Sequence, residues 1–282
     1  MEIYLAAEHA YALVPSYSIE VARDRIDQKK VGLVVGTVGA LFSNPKPDDI
    51  KLLSVENRVE PFWVVAASMT TRYDKSGTYT IPASGPDVRE VTMLDQVLPT
   101  AQQQRGTPAL NIPVVEHCVQ TLRMQQAFDA LSGTRIDAAK HLGGERVAID
   151  DVAAYAPEGV LVVPPQIRAS AVVRQVTAEV VRPVQGAQSI QEERVEIELV
   201  DLCFRPVYAF EYEWAARNKR MIIEFDALTG DQRSGGRKLE DQIKGILTTD
   251  VLFDITADAV GMFVPGGSIA VKLVKAVVDR GR

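Results

Sequence analysis

Two stretches of this chain are near copies of one another, and that echo constrains the fold more than any single motif. Placing Pro61 over Pro206, an offset of 145 residues, lays DDIKLLSVENRVEPFW from Asp48 onto ERVEIELVDLCFRPVY from Glu193 with acids, aliphatics and aromatics in register. Ile50 meets Val195, Leu52 meets Ile197, Glu56 meets Asp201, Phe62 meets Val207 and Trp63 meets Tyr208. Upstream, Leu13-Val14-Pro15 falls on Val162-Val163-Pro164 at an offset of 149. Each copy reads as a short strand ending in Val-Pro, then a helix, then a β-rich segment interrupted by the landmark proline. That proline cannot donate to a ladder, so it is expected at a strand start, a bulge or an edge. The expected fold is α+β: two repeated β-α-β-β modules related by a pseudo-twofold, plus a linker helix and a C-terminal helical pair.

The boundaries follow from the same landmarks. Residues 1–98 form the first module, 99–150 a linker with a helix, 151–237 the second module and 238–282 a pair of amphipathic helices. Ser18 is placed to cap a helix with Ile19, Ala22 and Ile26 on one face, and 167–179 is its counterpart. The linker helix is expected over Val114 to Leu131, where Val115, Val119, Leu122, Met124, Ala127 and Leu131 recur close to helical spacing. At the C-terminus Leu252, Phe253, Met262, Phe263, Leu273 and Val277 offer apolar surface on two helices separated by Pro265-Gly266-Gly267, which suits self-association.

Composition narrows the function classes. A chain of 282 residues with 46% apolar and 24% charged residues has enough apolar content for a packed core. Its net charge of −6 gives no general basic footprint for nucleic acid. Glu2, Glu8 and His9 stand where a secretory signal would be cationic and then apolar, so the expected location is cytoplasmic. Cys118 and Cys203 are too few for a disulfide scaffold and are read as free thiols.

Chemistry-bearing motifs are sparse. Cys118 beside His117 is the one thiol–imidazole neighbour pair, but on a helix adjacent side chains diverge by about 100°, which places the imidazole badly. No metal-ligand spacing joins His9, His117, His141, Cys118 and Cys203, and no cofactor is expected.

Pro206-Val207-Tyr208-Ala209-Phe210-Glu211-Tyr212, followed by MIIEFDALTG from Met221, resembles the hairpin of PepSY-like domains. Asp226 can accept backbone hydrogen bonds across such a turn and Gly230 can take the positive φ that closes it. The resemblance implies a role in peptidase inhibition or regulation. A near copy, FDALSG from Phe128, follows residues with helical spacing, which argues for coincidence.

These observations point to a non-catalytic binding or assembly protein. It would self-associate through its C-terminal helices and hold a protein partner in the groove between its modules, with Trp63, Tyr73, Tyr208, Tyr212 and Trp214 as aromatic anchors. A membrane surface is a less favoured partner, because the helical pair carries few lysines. The alternatives are a PepSY-like cytosolic peptidase regulator and a thiol-dependent hydrolase using Cys118 with His117.

Overall fold

The computed structural model describes residues 1–36, 46–101 and 107–236, together with 252, 253, 255 and the backbone of 273–275. Its centre is three very long antiparallel strands. β1 (Glu2–Leu5) and β2 (Glu8–Leu13) lead into α1 (Ile19–Asp27) and α2 (Lys30–Val35). Then come β3 (Ile50–Pro82), the hairpin β4 (Glu90–Met93) and β5 (Gln96–Pro99), and β6 (Ala109–Asp129). Short elements follow: β7 (Arg135–Ile136), α3 (Ala139–Leu142), β8 (Arg146–Ala148) and β9 (Leu161–Val162). The chain continues through α4 (Ala169–Val180), β10 (Ser189–Trp214), β11 (Lys219–Asp226), β12 (Gln232–Ser234) and β13 (Leu273–Lys275).

Among the described residues an 11-stranded mixed sheet carries the spine β12-β11-β10-β3-β6-β7, with β1, β2, β8, β9 and β13 joined at its margins. Strand makes up 52% of the structure and helix 17%. The expectation of two α+β modules is therefore incorrect. β3 and β10 pair with each other from Ile50↔Trp214 to Asp74↔Ser189, so the halves share one sheet instead of closing two.

The linker helix is also incorrect. Residues 114–129 belong to β6, which pairs with β3 in unbroken register from Phe62↔Asp129 to Pro82↔Ala109. Val115 and Val119, which completed the helical spacing, are 54% and 58% exposed, while the even-numbered Leu122, Met124 and Phe128 face the core. A strand's period of two was hidden because both of its faces carry apolar residues here. The C-terminal helical pair fails in part as well: residues 273–275 form β13, paired in parallel with Ile3–Leu5. The rest of that region lies mainly outside the described residues.

The sequence echo persists as register within the sheet. Pro61 lies opposite Phe204 and Val59 opposite Pro206, as a local twofold between β3 and β10 requires. Both prolines sit where the neighbouring strand departs. The Pro61 carbonyl accepts from Ala130 N and the Pro206 carbonyl from Ala227 N, so the side lacking an N–H faces a turn and no ladder donor is missed. The FDALSG copy is no coincidence. Asp129 Oδ1 accepts from Leu131 N (3.0 Å) and Ser132 N (2.8 Å), and Asp226 Oδ1 accepts from Leu228 N (2.9 Å) and Thr229 N (3.1 Å). Gly133 (φ +73°) and Gly230 (φ +77°) close the two turns in the left-handed region that favours glycine.

Each turn receives the other half of the chain. The Ala227 carbonyl accepts from Ser16 N and Tyr17 N, and the Ala130 carbonyl from Gln166 N and Ile167 N. Tyr17 thus corresponds to Ile167, an offset of 150, one longer than the Val-Pro alignment. Consequently α1 packs on β10 and β11, where Ala22 and Ile26 meet Tyr208, Phe210, Ile223 and Phe225. In turn α4 packs on β3 and β6, where Val172, Val173 and Val176 meet Trp63, Val65 and Phe128. A valine-rich helix is intrinsically weak, but its stripe is fully buried, at about 1.5 kcal/mol or more per side chain, so packing decides.

One hydrogen bond fixes each crossed contact: Trp63 Nε1 donates to Ile167 O (2.7 Å), and Tyr208 Oη, at the corresponding position, donates to Tyr17 O (3.0 Å). Trp63→Phe is expected to cost about 2 kcal/mol and Tyr208→Phe about 1 kcal/mol in urea unfolding, because each leaves a half-buried carbonyl without its donor. Unchanged midpoints would show that neither bond anchors its helix.

Candidate functional site

At the middle of the β3–β10 ladder the offset of 145 carries Glu60 onto Arg205, and these two residues lie directly opposite. They occupy the local twofold itself. A symmetric arrangement would set like against like there; an acid facing a base makes the centre attractive. Arg205 Nη2 donates to Glu60 Oε2 at 2.8 Å, and Nη1 lies 3.8 Å from Asp226 Oδ2.

Around this pair a charged cluster fills the sheet face away from α1 and α4. Glu56, Arg58 and Glu60 alternate along β3 and so share that face. Arg58, with its side chain 1% exposed, donates from Nε to Glu60 Oε1 (2.9 Å), from Nη1 to Glu56 Oε1 (3.1 Å) and from Nη2 to Glu224 Oε1 (2.5 Å). Burial alone would discourage its charge, but Glu60, Glu224 and Glu56 outweigh it and raise the guanidinium pKa. On the far side His141 Nε2 bonds Asp226 Oδ2 at 2.9 Å, tying α3 to the second turn. Burial pushes the Asp226 carboxyl up, yet the bond to His141 and those from Thr229 N and Leu228 N prevail and hold it below its ordinary value.

Glu60, His141, Arg205, Glu224, Asp226, Asp231 and Arg233 line a cleft of about 40 Å³. Sites for organic ligands run to about 300 Å³ or more, so this one has room for water only. Arg58 and Arg205 are both spent on the surrounding carboxylates. What the cluster does is join β3, β10, β11 and α3.

Cys203 is buried, and desolvation, reinforced by Asp201, pushes it up to about 12. Asp201 is itself pushed up by burial against the pull of His9 and Arg146. His117 and Cys118 are adjacent in a strand, so they project to opposite faces. His117 Nδ1 is engaged by Asp74 Oδ1 at 2.7 Å, and Cys118 Sγ donates to Glu116 O. The structure does not bring the two together.

Nor is there a groove between modules for the aromatic anchors. Trp63, Tyr208, Tyr212 and Trp214 are all buried core residues; only Tyr73, half-buried opposite Cys118, reaches a surface. Of the residues assigned to self-association, Leu252 is buried in the main core and Phe253 meets the Trp63 ring edge-on at 5.3 Å. Leu273 lies in β13, and Met262, Phe263 and Val277 lie outside the described residues.

The feature that sequence reasoning missed is an arm. β10 leaves β3 at Asp74, beyond which residues 75–82 pair only with β6. This two-stranded ribbon extends about 25 Å and leads to the β4–β5 hairpin. Tyr79, Ile81 and Val97 are exposed along it. At the tip Leu94 and Asp95 form a two-residue turn with φ of +50° and +60°. Such turns favour Asn and Gly. Leu94 is a branched apolar residue in the left-handed region, and it is 90% exposed. The alternation in Thr78-Tyr79-Thr80-Ile81 signals a strand, but nothing local signals that the strand outruns its neighbour.

No family model matches the chain, and no characterised protein or solved structure is significantly similar to it. Among the described residues no helix is long and apolar enough to cross a membrane, and no group of His, Cys, Asp and Glu side chains is placed to hold a metal ion.

Two outcomes test the cluster. Arg58→Met removes a guanidinium partner from Glu56, Glu60 and Glu224, leaving Glu60 with Arg205, and is expected to cost about 3–5 kcal/mol of stability, read by urea unfolding at pH 7. Because the Asp226 carboxyl is depressed in the folded state, its contribution is present above its unfolded pKa, near 4, and is lost as the pH falls through the lower folded value; Asp226→Asn should flatten that acid limb.

Proposed function

We propose that this is a non-catalytic assembly protein that associates with protein partners, other copies of itself included, through the β3–β6 arm. The observation that carries the reading is Leu94: 90% exposed at the tip of a projecting ribbon, in a conformation that penalises leucine. Exposure and strain together serve no purpose in the isolated fold. An isolated two-stranded ribbon is marginally stable in water, and an apolar tip makes sense as a contact. The buried cluster accords with the same reading, since the cleft it lines is too small for a substrate. Two unpaired thiols accord with a cytoplasmic setting. The peptidase-regulating role implied by the PepSY-like hairpin has no comparable support: Asp226 is occupied by its own turn and by His141.

Leu94→Asn separates function from folding. It is expected to relieve up to about 1 kcal/mol of turn strain, raising or preserving the unfolding midpoint, while lowering the native mass seen by sedimentation velocity. A variant that associates as the wild type does, or a wild type that stays monomeric up to high concentration, would overturn the reading.

A further inference from the structure

Beside the turn that closes β11 lies a cleft that neither the arm nor the charged cluster uses. Arg25, Gln28 and Lys29 at the end of α1 face Gly230, Asp231 and Gln232 across about 410 Å³, against about 40 Å³ at the cluster. That is room for a small organic ligand. One wall is rigid. The Tyr17 backbone donates to Ala227 O and accepts from the Tyr208 hydroxyl, both at 3.0 Å, and its ring meets Phe225 edge-on at 5.8 Å. The Arg25 guanidinium lies over that fixed ring at 4.4 Å. A Cβ at Gly230 would come within 3.1 Å of Arg25 Nη1 and 3.2 Å of Tyr17 Cε2, so the stack needs a glycine there. Its donors are unused: among the described residues neither Arg25 nor Lys29 meets a carboxylate, while nearby Arg23 and Lys30 both reach Asp27.

The other half of the echo solves the same packing differently. Offsets of 150 residues between the helices and 97 between the turns set Tyr17, Lys29, Gly230 and Gln232 against Ile167, Glu179, Gly133 and Arg135. There Ile167 alone packs on the glycine, at 3.6 Å, and Glu179 pairs with Arg135, which ties helix to strand. Here the corresponding positions hold Lys29 and Gln232, which form no such bridge, and the gap between helix and strand is the cleft. A basic last turn offsets the partial negative end of α1, but the dipole requires neither the fixed ring nor the absence of a bridging acid.

We propose that this cleft binds a phosphate group, free or at the end of a small ester, between Arg25 and Lys29, with any organic remainder against Gln28 and Gln232. A carboxylate would occupy the Arg25 fork and leave Lys29 unmatched. A phosphate dianion has the charge and the oxygens for both. Asp231, the one acid lining the cleft, lies 3.7 Å from Lys140 Nζ, so cations outnumber acids here in a chain whose net charge is −6.

The test is an NMR titration of the isotopically labelled full chain with inorganic phosphate, glycerol 3-phosphate and acetate at constant ionic strength, following the amides of Gly230, Asp231 and Gln232. Both phosphates should shift these amides saturably, and acetate should bind more weakly than either. Tighter binding of glycerol 3-phosphate would show that the organic remainder is held as well; equal binding would show the free anion to be ligand enough. Lys29→Glu puts the other half's acid in place and should weaken binding at least about tenfold. Arg25→Lys keeps the charge but gives up the fork, and should weaken it several-fold. Arg168→Glu makes the same charge change as Lys29→Glu at the start of α4, and should leave binding as in the wild type. The urea midpoint of each variant checks that the fold is kept. No shift at the three amides, acetate binding as tightly as phosphate, wild-type affinity in Lys29→Glu, or an equal loss in Arg168→Glu would overturn the proposal.

Discussion

Everything in this fold depends on the ladder between β3 and β10, and that ladder turns on the opposition of Glu60 and Arg205. The two strands cross the whole sheet, and among the described residues every other strand of that sheet joins one of them directly or through one intervening strand. Their central pair sits on the local twofold, where a repeat would otherwise set a residue against its own counterpart. With an acid on one strand and a base on the other, the centre carries a charge-assisted hydrogen bond, and Arg58 extends it to Glu56 and Glu224. Burying so many charges is tolerable only because the guanidinium donors are used.

From that centre the chain crosses over itself. The helix that begins the first half lies on the strands of the second, and the helix that begins the second half lies on those of the first. Each crossing is pinned at a turn carbonyl and by one aromatic donor, Tyr208 on one side and Trp63 on the other. Neither half can then bury its sheet face alone. This is why a repeat visible in sequence does not yield two domains, and why the aromatics that look like anchors for a ligand are occupied within the core.

The two halves differ most at the surface. β11 is short and folds back beside β10, whereas β6 runs on with β3 past the end of β10. The extension places Leu94, Tyr79 and Ile81 in solvent. The buried cluster, by contrast, spends both of its arginines inside the fold, and its cleft measures only about 40 Å³.

Much of the local chemistry was legible. Ser18 caps α1 through Val21 N and the Asp226–Gly230 turn forms as its residues suggest, whereas the landmark prolines lie inside the long β3 and β10, each with the side that lacks an N–H toward a turn. β6 was not legible as a strand, because Val115 and Val119 on its exposed face complete a helical spacing with the half-buried Leu122. The cluster was equally hidden, since Arg58, Glu60, Arg205, His141 and Glu224 are scattered along the chain and read individually as ordinary surface charges. By itself the sequence determined short-range features: caps, turns and the existence of an internal echo, all of which depend on residues a few positions apart. Only the tertiary structure decided which half covers which, which aromatics are buried and which strand outruns its neighbours, because those outcomes depend on register between strands more than a hundred residues apart, which local periodicity does not encode.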